Sequence, residues 1–380
     1  MRLPGFFYIA LGLTALLHAY IGARLLPDLS LGTPGVLLGA AALLASVVLL
    51  PFAVLGRYIR HQPLGDRLTW AGSLAMGVFS WLLLFTLLRD VLLLVAWMAV
   101  SPALLAAITT WSALAVLALT LVVSIAGFFS ARRLARIKHV DVPIAGLDGA
   151  LHGFVIAQIS DIHVGPTIKR GYLDRIVDAV NRLEADMIAI TGDLVDGSVG
   201  DLAHHTAPLA RLGARHGTYF VTGNHEYYAG AHAWIDELHR LGLTVLGNRH
   251  VVLSHDGASL VVAGVHDYTA HQFDPDHRSD PAGALHGAPA HAATRILLAH
   301  QPRTAHAAAE AGYHLQLSGH THGGQFWPWN FFVPLQQPFT GGLNRLRDLW
   351  VYTSRGTGYW GPPNRFGVPS EITRIRLVTA

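Results

Sequence analysis

Apolar positions are spread along this chain in two different ways. Up to about residue 130 they form four long stretches, at 6–23, 35–55, 70–88 and 103–129. Each is close to the roughly 20 residues that a helix needs to cross a bilayer. Beyond residue 150 they come in short runs separated by polar loops. The runs at 154–160, 187–191 and 218–222 suit buried strands, and Leu173, Ile176, Val177, Val180 and Leu183 share one helical face. Trp234, Leu238 and Leu241 mark another amphipathic helix. Residues 251–265 predict a hairpin turned at Asp256-Gly257, with further strands at 295–299, 314–317, 351–354 and 371–378. Alternation early and strands late predict an α/β sandwich of mixed sheets flanked by helices, preceded by an all-α transmembrane bundle of about four helices.

Charge follows the same division. Residues 1–130 hold nine charged side chains, whereas 20 of the 23 histidines lie after residue 150. Arginines that border membrane spans are retained on the cytoplasmic side. Arg57, Arg60 and Arg67 precede the third stretch, and Arg132, Arg133, Arg136 and Lys138 follow the fourth. Four spans put both clusters on one face and leave the C-terminal half cytoplasmic. A turn at Thr109, Thr110 and Ser112 would instead give five spans and separate the clusters. Arg89 and Asp90 are the ionisable pair to watch within the apolar half, unless they mark a helix end. A formal charge of +3 argues against nucleic-acid binding, and the absence of cysteine excludes disulfides and thiolate ligands.

Each strand of the second half runs straight into polar residues. Asp161-Ile162-His163 follows the first and Gly192-Asp193 the second; Gly223-Asn224-His225-Glu226 follows the third. Later strands lead into His300 and into Gly319-His320-Thr321-His322. Sites in open α/β sheets form outside the carboxyl ends of strands, so these five motifs can converge on one cleft. Carboxylate, imidazole and amide donors without sulfur suit divalent ions such as Mn²⁺, Fe²⁺, Zn²⁺ or Ni²⁺. Histidines outside the motifs, among them His204, His205, His216, His232 and His239, are expected at the surface or core edge.

The series Asp161-x-His163, Gly192-Asp193, Gly223-Asn224-His225-Glu226, His300 and Gly319-His320-x-His322 resembles the calcineurin-like metallophosphoesterase superfamily over about residues 150–380. Gly-His-Thr-His-Gly-Gly-Gln at 319–325 and Ser-Arg-Gly-Thr-Gly at 354–358 are similar to its membrane-linked branch. That branch includes transmembrane proteins with a metallophosphoesterase domain and phosphodiesterases related to UDP-2,3-diacylglucosamine hydrolases of lipid A synthesis. The resemblance implies a four-layer sandwich and two divalent metal ions. It places Asp161, His163 and His322 on one ion, Asn224, His300 and His320 on the other, and Asp193 between them. It makes His225 the catalytic histidine, which agrees with chemistry, because a general acid near neutral pH is most simply an imidazole.

These readings divide the chain into a transmembrane anchor at 1–130, a basic connector at 131–150 and a metallophosphoesterase domain at 151–380. The expected protein is a multi-pass inner-membrane phosphoesterase with its catalytic domain on the cytoplasmic face. Its expected partners are the lipid bilayer and a lipid-linked phosphodiester or pyrophosphate; the alternative substrate is a soluble nucleotide. The aromatic segment 326–332 is either an interfacial loop or a packed cover over the sheet. Arg355 and Arg365 either grip a second phosphate or, more simply, pair with surface charges. The oligomeric state is left open.

Overall fold

The computed structural model describes residues 5–56, 59, 61–289 and 294–380; Arg57 and Arg60 lie outside these. The chain divides into two units. One runs to Phe129 and takes in Gly361–Phe366, and the other holds Ser130–Trp360 and Gly367–Ala380.

The first unit contains α1 (Gly5–Leu25), α2 (Gly32–Leu49), a short α3 (Phe52–Leu55), α4 (Leu64–Ala99) and α5 (Pro102–Arg132). Among the described residues, four helical segments are long and apolar enough to cross a membrane. No residue of α2 is fully buried, and Val36, Leu37, Leu38, Leu44 and Val48 face outward, as lipid-facing side chains do. At 36 and 31 residues, α4 and α5 outlast the roughly 20 residues that span a hydrocarbon core. Thr109, Thr110 and Ser112 lie inside α5 rather than at a turn, so the five-span arrangement is not what the chain adopts. The Thr109 hydroxyl bonds back to the Leu105 carbonyl at 2.9 Å, which lets a hydroxyl sit mid-helix. The break falls at Val100-Ser101, ahead of a proline at the start of α5, where its missing N–H costs nothing.

Arg89 and Asp90 are interior to α4 and do not mark a helix end. Arg24 grips Asp90 with contacts of 2.9–3.0 Å, and the Tyr20 hydroxyl donates to the same carboxylate at 2.6 Å. Arg89, buried, bonds Asp28, the Arg24 and Thr109 carbonyls and the Ser112 hydroxyl. Two cations and two anions therefore neutralise one another, which is how apolar surroundings tolerate charge. Within the same unit the Arg365 N–H donates to the Gly127 carbonyl at 3.0 Å, and Phe366 meets Trp81 edge-on at 5.5 Å. A Cβ on Gly127 would come within 2.0 Å of Asn364 Oδ1, so only glycine admits this approach. Arg365 is buried here, contrary to the surface pairing expected of it.

The second unit is a four-layer sandwich. Its strands are β1 (Arg136–Ile144), β2 (Val155–Ile159), β3 (Met187–Ile190), β4 (Thr218–Phe220), β5 (Thr244–Val245) and β6 (Arg249–His255). They continue as β7 (Ala258–Gly264), β8 (Thr294–Leu298), β9 (Leu315–Ser318), β10 (Gly342–Leu346), β11 (Leu349–Thr353) and β12 (Glu371–Thr379). One sheet has the order β1-β12-β2-β3-β4-β5 and the other β10-β11-β9-β8-β7-β6. Both are mixed: β2 to β5 run parallel, as do β7, β8, β9 and β11, with antiparallel pairs at β12–β2, β6–β7 and β10–β11.

Ile156, Met187, Ala189, Leu260, Val262, Leu298 and Leu317 fill the space between the sheets. On the outer face of the first sheet, Val155, Ala157 and Ile159 meet α6 (Arg170–Asn181), α7 (Val199–Thr206) and α9 (Ala231–Arg240). The six-residue α8 (Asn224–Ala229) precedes α9, and α10 (Ala305–Glu310) covers the second sheet. Because β2 is buried on both faces, its apolar residues do not alternate with exposed polar ones, and its one polar residue, Gln158, is itself buried and donates to Thr191 Oγ1 and the Ser318 carbonyl.

The stretch 131–150, expected as a basic connector, contains β1. This strand pairs in parallel with β12 over its whole length, from Arg136↔Glu371 to Ile144↔Thr379. Val142 and Ile144 point into the core while Arg136, Ile137 and Asp141 stay exposed, a period-2 pattern that the basic residues mask in the sequence.

Candidate metal centre

The five polar motifs leave the carboxyl ends of β2, β3, β4, β8 and β9. Backbone geometry aims their side chains inward. Asp161, His163, Asp193, His320 and His322 have φ of 53°, 56°, 51°, 71° and 50°, the left-handed region that non-glycine residues avoid. Such strain persists where the surroundings over-determine it, and it clusters at functional sites. Glycines supply the clearance: a Cβ on Gly223 would lie 2.2 Å from Asp193 Oδ1, and one on Gly319 would lie 2.0 Å from Ser160 Oγ.

Two groups of donors result. Asp161, His163 and His322 bring one ligand atom each within 4.8 Å of one another, and so do Asp193, His300 and His320. In the first, the Nε2 atoms of His163 and His322 are 3.0 Å apart, and His322 Nε2 is 3.5 Å from Asp161 Oδ1. In the second, His300 Nε2 lies 3.2 Å from both His320 Nδ1 and Asp193 Oδ2. Asp193 Oδ2 is also 4.0 Å from His163 Nε2, so this one carboxylate adjoins both groups.

The donors themselves fit cations. His300 Nδ1 is 2.7 Å from the Thr191 carbonyl, which can only accept, so Nδ1 carries a proton and the ring presents Nε2 to the cluster. His163 Nδ1 faces the Asp196 carboxylate at 3.2 Å with the same consequence. Imidazole nitrogens and carboxylate oxygens thus face one another at roughly the 3 Å edge expected between ligands bound at about 2.1 Å. Asn224 Oδ1 is buried without a hydrogen-bond partner among the described residues, as a metal-directed amide oxygen would be. Burial, and then the neighbouring charge of His300, push the His320 imidazole down to about 3, which keeps it in the neutral, metal-binding form.

A profile of the calcineurin-like phosphoesterases matches residues 154–324. The chain is 34% identical to an uncharacterized metallophosphoesterase of Campylobacter jejuni, over 70% of this chain and 69% of that one. It is 31% identical to an uncharacterized metallophosphoesterase of Aquifex aeolicus, over 58% of this chain and 84% of that one. The chain belongs to the calcineurin-like phosphoesterase family. It is also 38% identical to the transmembrane protein with metallophosphoesterase domain of Danio rerio, over 70% of this chain but only 62% of that relative. This family's fold implies divalent metal ions, and the His/Asp groups above are able to hold them.

Seen as a calcineurin-like phosphoesterase, the chain carries three supporting residues to which its sequence pattern gives no role. Asp196 Oδ1 contacts Nδ1 of both His163 and His225, at 3.2 and 2.5 Å. Burial opposes its charge, yet His163 and His225 hold its carboxyl below the usual range. Glu226, fully buried, accepts from the backbone N–H groups of Asp193, Leu194 and Gly223 at 3.0, 2.8 and 2.6 Å, bracing two ligand turns against each other. The Gln325 amide makes paired 2.8 Å bonds to the Trp360 backbone. Asp196 stands three residues after Asp193 in one loop, a spacing that could have drawn attention to it.

His225 sits beside the donor groups, with Nε2 4.0 Å from Asp193 Oδ2. Burial works against its charge, but the carboxylates of Asp193 and Asp196 outweigh this and raise its pKa to about 9. The rings of Tyr228 and Trp360 stand 5.2 and 5.7 Å from its imidazole. Phe326 is buried, but Trp327, Trp329, Phe331 and Phe332 are exposed, so most of the 326–332 segment is not a packed cover.

Proposed function

We propose that this protein is a two-metal hydrolase that cleaves a phosphodiester or pyrophosphate on a membrane lipid-linked substrate. The observation that carries the hydrolase reading is that imidazole nitrogens of both donor groups face Asp193 Oδ2. Asp161, His163 and His322 would hold one ion, Asn224, His300 and His320 the other, and Asp193 both. The sulfur-free N/O set suits Mn²⁺, Fe²⁺, Zn²⁺ or Ni²⁺, and we take Mn²⁺ as the working ion. Bound there, the ions supply an activated water and neutralise charge on the phosphoryl oxygens. Water attacks phosphorus and the bond to the leaving oxygen breaks. His225, protonated at neutral pH and oriented by Asp196, gives that oxygen its proton.

The lipid-linked reading is supported by the four apolar helices and by the exposed aromatic segment that follows directly on His322. Tryptophan, present here as Trp327 and Trp329, favours the headgroup region of a bilayer. By resemblance to the membrane-linked branch, the specific substrate is UDP-2,3-diacylglucosamine, cleaved to UMP and a lipid monophosphate at the cytoplasmic face of the inner membrane. The test uses full-length protein in lipid nanodiscs with added Mn²⁺. Bilayer-embedded UDP-2,3-diacylglucosamine should be turned over with a kcat/KM about 10²-fold above that of soluble nucleotide diesters, the scale that confinement supplies. Equal or better turnover of the soluble diesters would replace this reading with a soluble-nucleotide phosphodiesterase.

A further inference from the structure

A second cluster of metal-binding side chains lies outside the eight residues above. His232 stands in the first turn of α9, and in the loop between β7 and β8 Asp274 caps a short turn, Pro275–His277, that ends on His277. We propose that His232, Asp274 and His277 form a third divalent-cation site, suited to Zn²⁺, that pins this loop to α9.

The geometry converges on one oxygen. Asp274 Oδ1 is engaged by the Asp276 N–H at 3.0 Å. Oδ2 is left facing His232 Nε2 at 2.8 Å and His277 Nε2 at 3.7 Å. The second distance is too long for a hydrogen bond. It is near the edge of roughly 3.3 Å between tetrahedral ligands bound at about 2.0 Å. All three residues offer a ligand atom within 4.8 Å of one another.

The far side of His277 is also organised. The Tyr227 hydroxyl lies 2.8 Å from His277 Nδ1 and 3.2 Å from His266 Nδ1. When Tyr227 accepts from Nδ1–H of His277 and donates its own proton to His266, Nε2 of His277 presents its lone pair to the cluster. Orientation of this kind is what a partner behind a ligating histidine supplies. His277 and Asp274 are mostly covered at 14% and 25% side-chain exposure, whereas His232 is open at 73%, leaving room for a water as fourth ligand. Two imidazoles, one carboxylate and an open position make a common zinc donor set.

The ion would also fix what the loop carries. Phe273, next to Asp274, packs 6.0 Å from the ring of Tyr227 and 5.5 Å from that of Tyr228, which stands beside His225. This inference is independent of the substrate assigned above.

The experiment measures bound zinc on full-length protein after equilibration with Zn²⁺ and removal of the free ion. Wild type should retain three equivalents and His232→Ala two. His232 is largely exposed, so this substitution leaves the fold intact. His239→Ala, an exposed histidine of the same helix, should retain three. Asp274→Asn should behave as His232→Ala does. A wild-type content of two, or three retained in His232→Ala, overturns the proposal and leaves a surface His–Asp pair.

Discussion

Nδ1 of His225 lies 2.5 Å from Oδ1 of Asp196, and that oxygen also faces the ring of His163. One carboxylate thus orients both a metal ligand and the proton donor. Its charge helps keep His225 protonated up to about pH 9. An acid catalyst works while protonated, so kcat should hold on the acid side of that value and fall as pH rises through it. Asp196→Asn removes an influence that raises the pKa, so the alkaline limb should move to lower pH. Loosened metal affinity, by about 10–100-fold, should accompany it through His163. A pH–rate profile checks this, and an unmoved alkaline limb would show that Asp196 does not set the acid.

Asp193→Asn should remove the charge shared by the two donor groups. We expect loss of metal and no measurable turnover while the fold persists. Metal analysis beside an assay in Mn²⁺ decides it; near-wild-type activity would reject the ligand assignment.

His225→Ala should keep both ions and lose about 10²–10⁴-fold in rate on esters with poor leaving groups, the usual contribution of general acid catalysis. Activated esters, whose leaving groups need no proton, should suffer much less. Equal losses on the two classes would make His225 a binding residue instead.

Glu226→Gln should turn an amide N–H₂ toward backbone N–H donors that now share a carboxylate. Leaving such a buried donor without an acceptor costs about 1–3 kcal/mol. The thermal midpoint and the retained metal should both fall. No change in either would mean that the brace between the two ligand turns is dispensable.

With four spans, a reporter fused after Ala380 should read as cytoplasmic, and external protease should spare the second unit in intact cells. Cleavage without permeabilisation would place that unit on the other face.

The motifs of the candidate site were legible in the sequence because each is a few residues long and ends a short apolar run. What joins distant parts of the chain was not. Val142 and Ile144 alternate as strand residues should, but β1 becomes a strand by pairing with β12 at the far end of the chain. Arg89 and Asp90 stand out as ionisable residues in an apolar stretch, but a helix end could not be told from a neutralised pair because Arg24 and Asp28, which neutralise them, come more than 60 residues earlier. Asp196 is an ordinary loop aspartate until folding sets two imidazoles against it. β5, with only two residues, is too short for any pattern.

The helical unit includes Gly361–Phe366, and the Gly127 carbonyl and the Trp81 ring both wait for that segment. On a ribosome the apolar helices are made first and can enter the bilayer early. Their assembly still cannot finish until translation has passed residue 366. Release of an incomplete chain would leave the helices short of a piece that no earlier part of the sequence provides. The same dependence bears on engineering: a cut near residue 130 would strand six residues, two of them prolines and one phenylalanine, away from the partners that cover them.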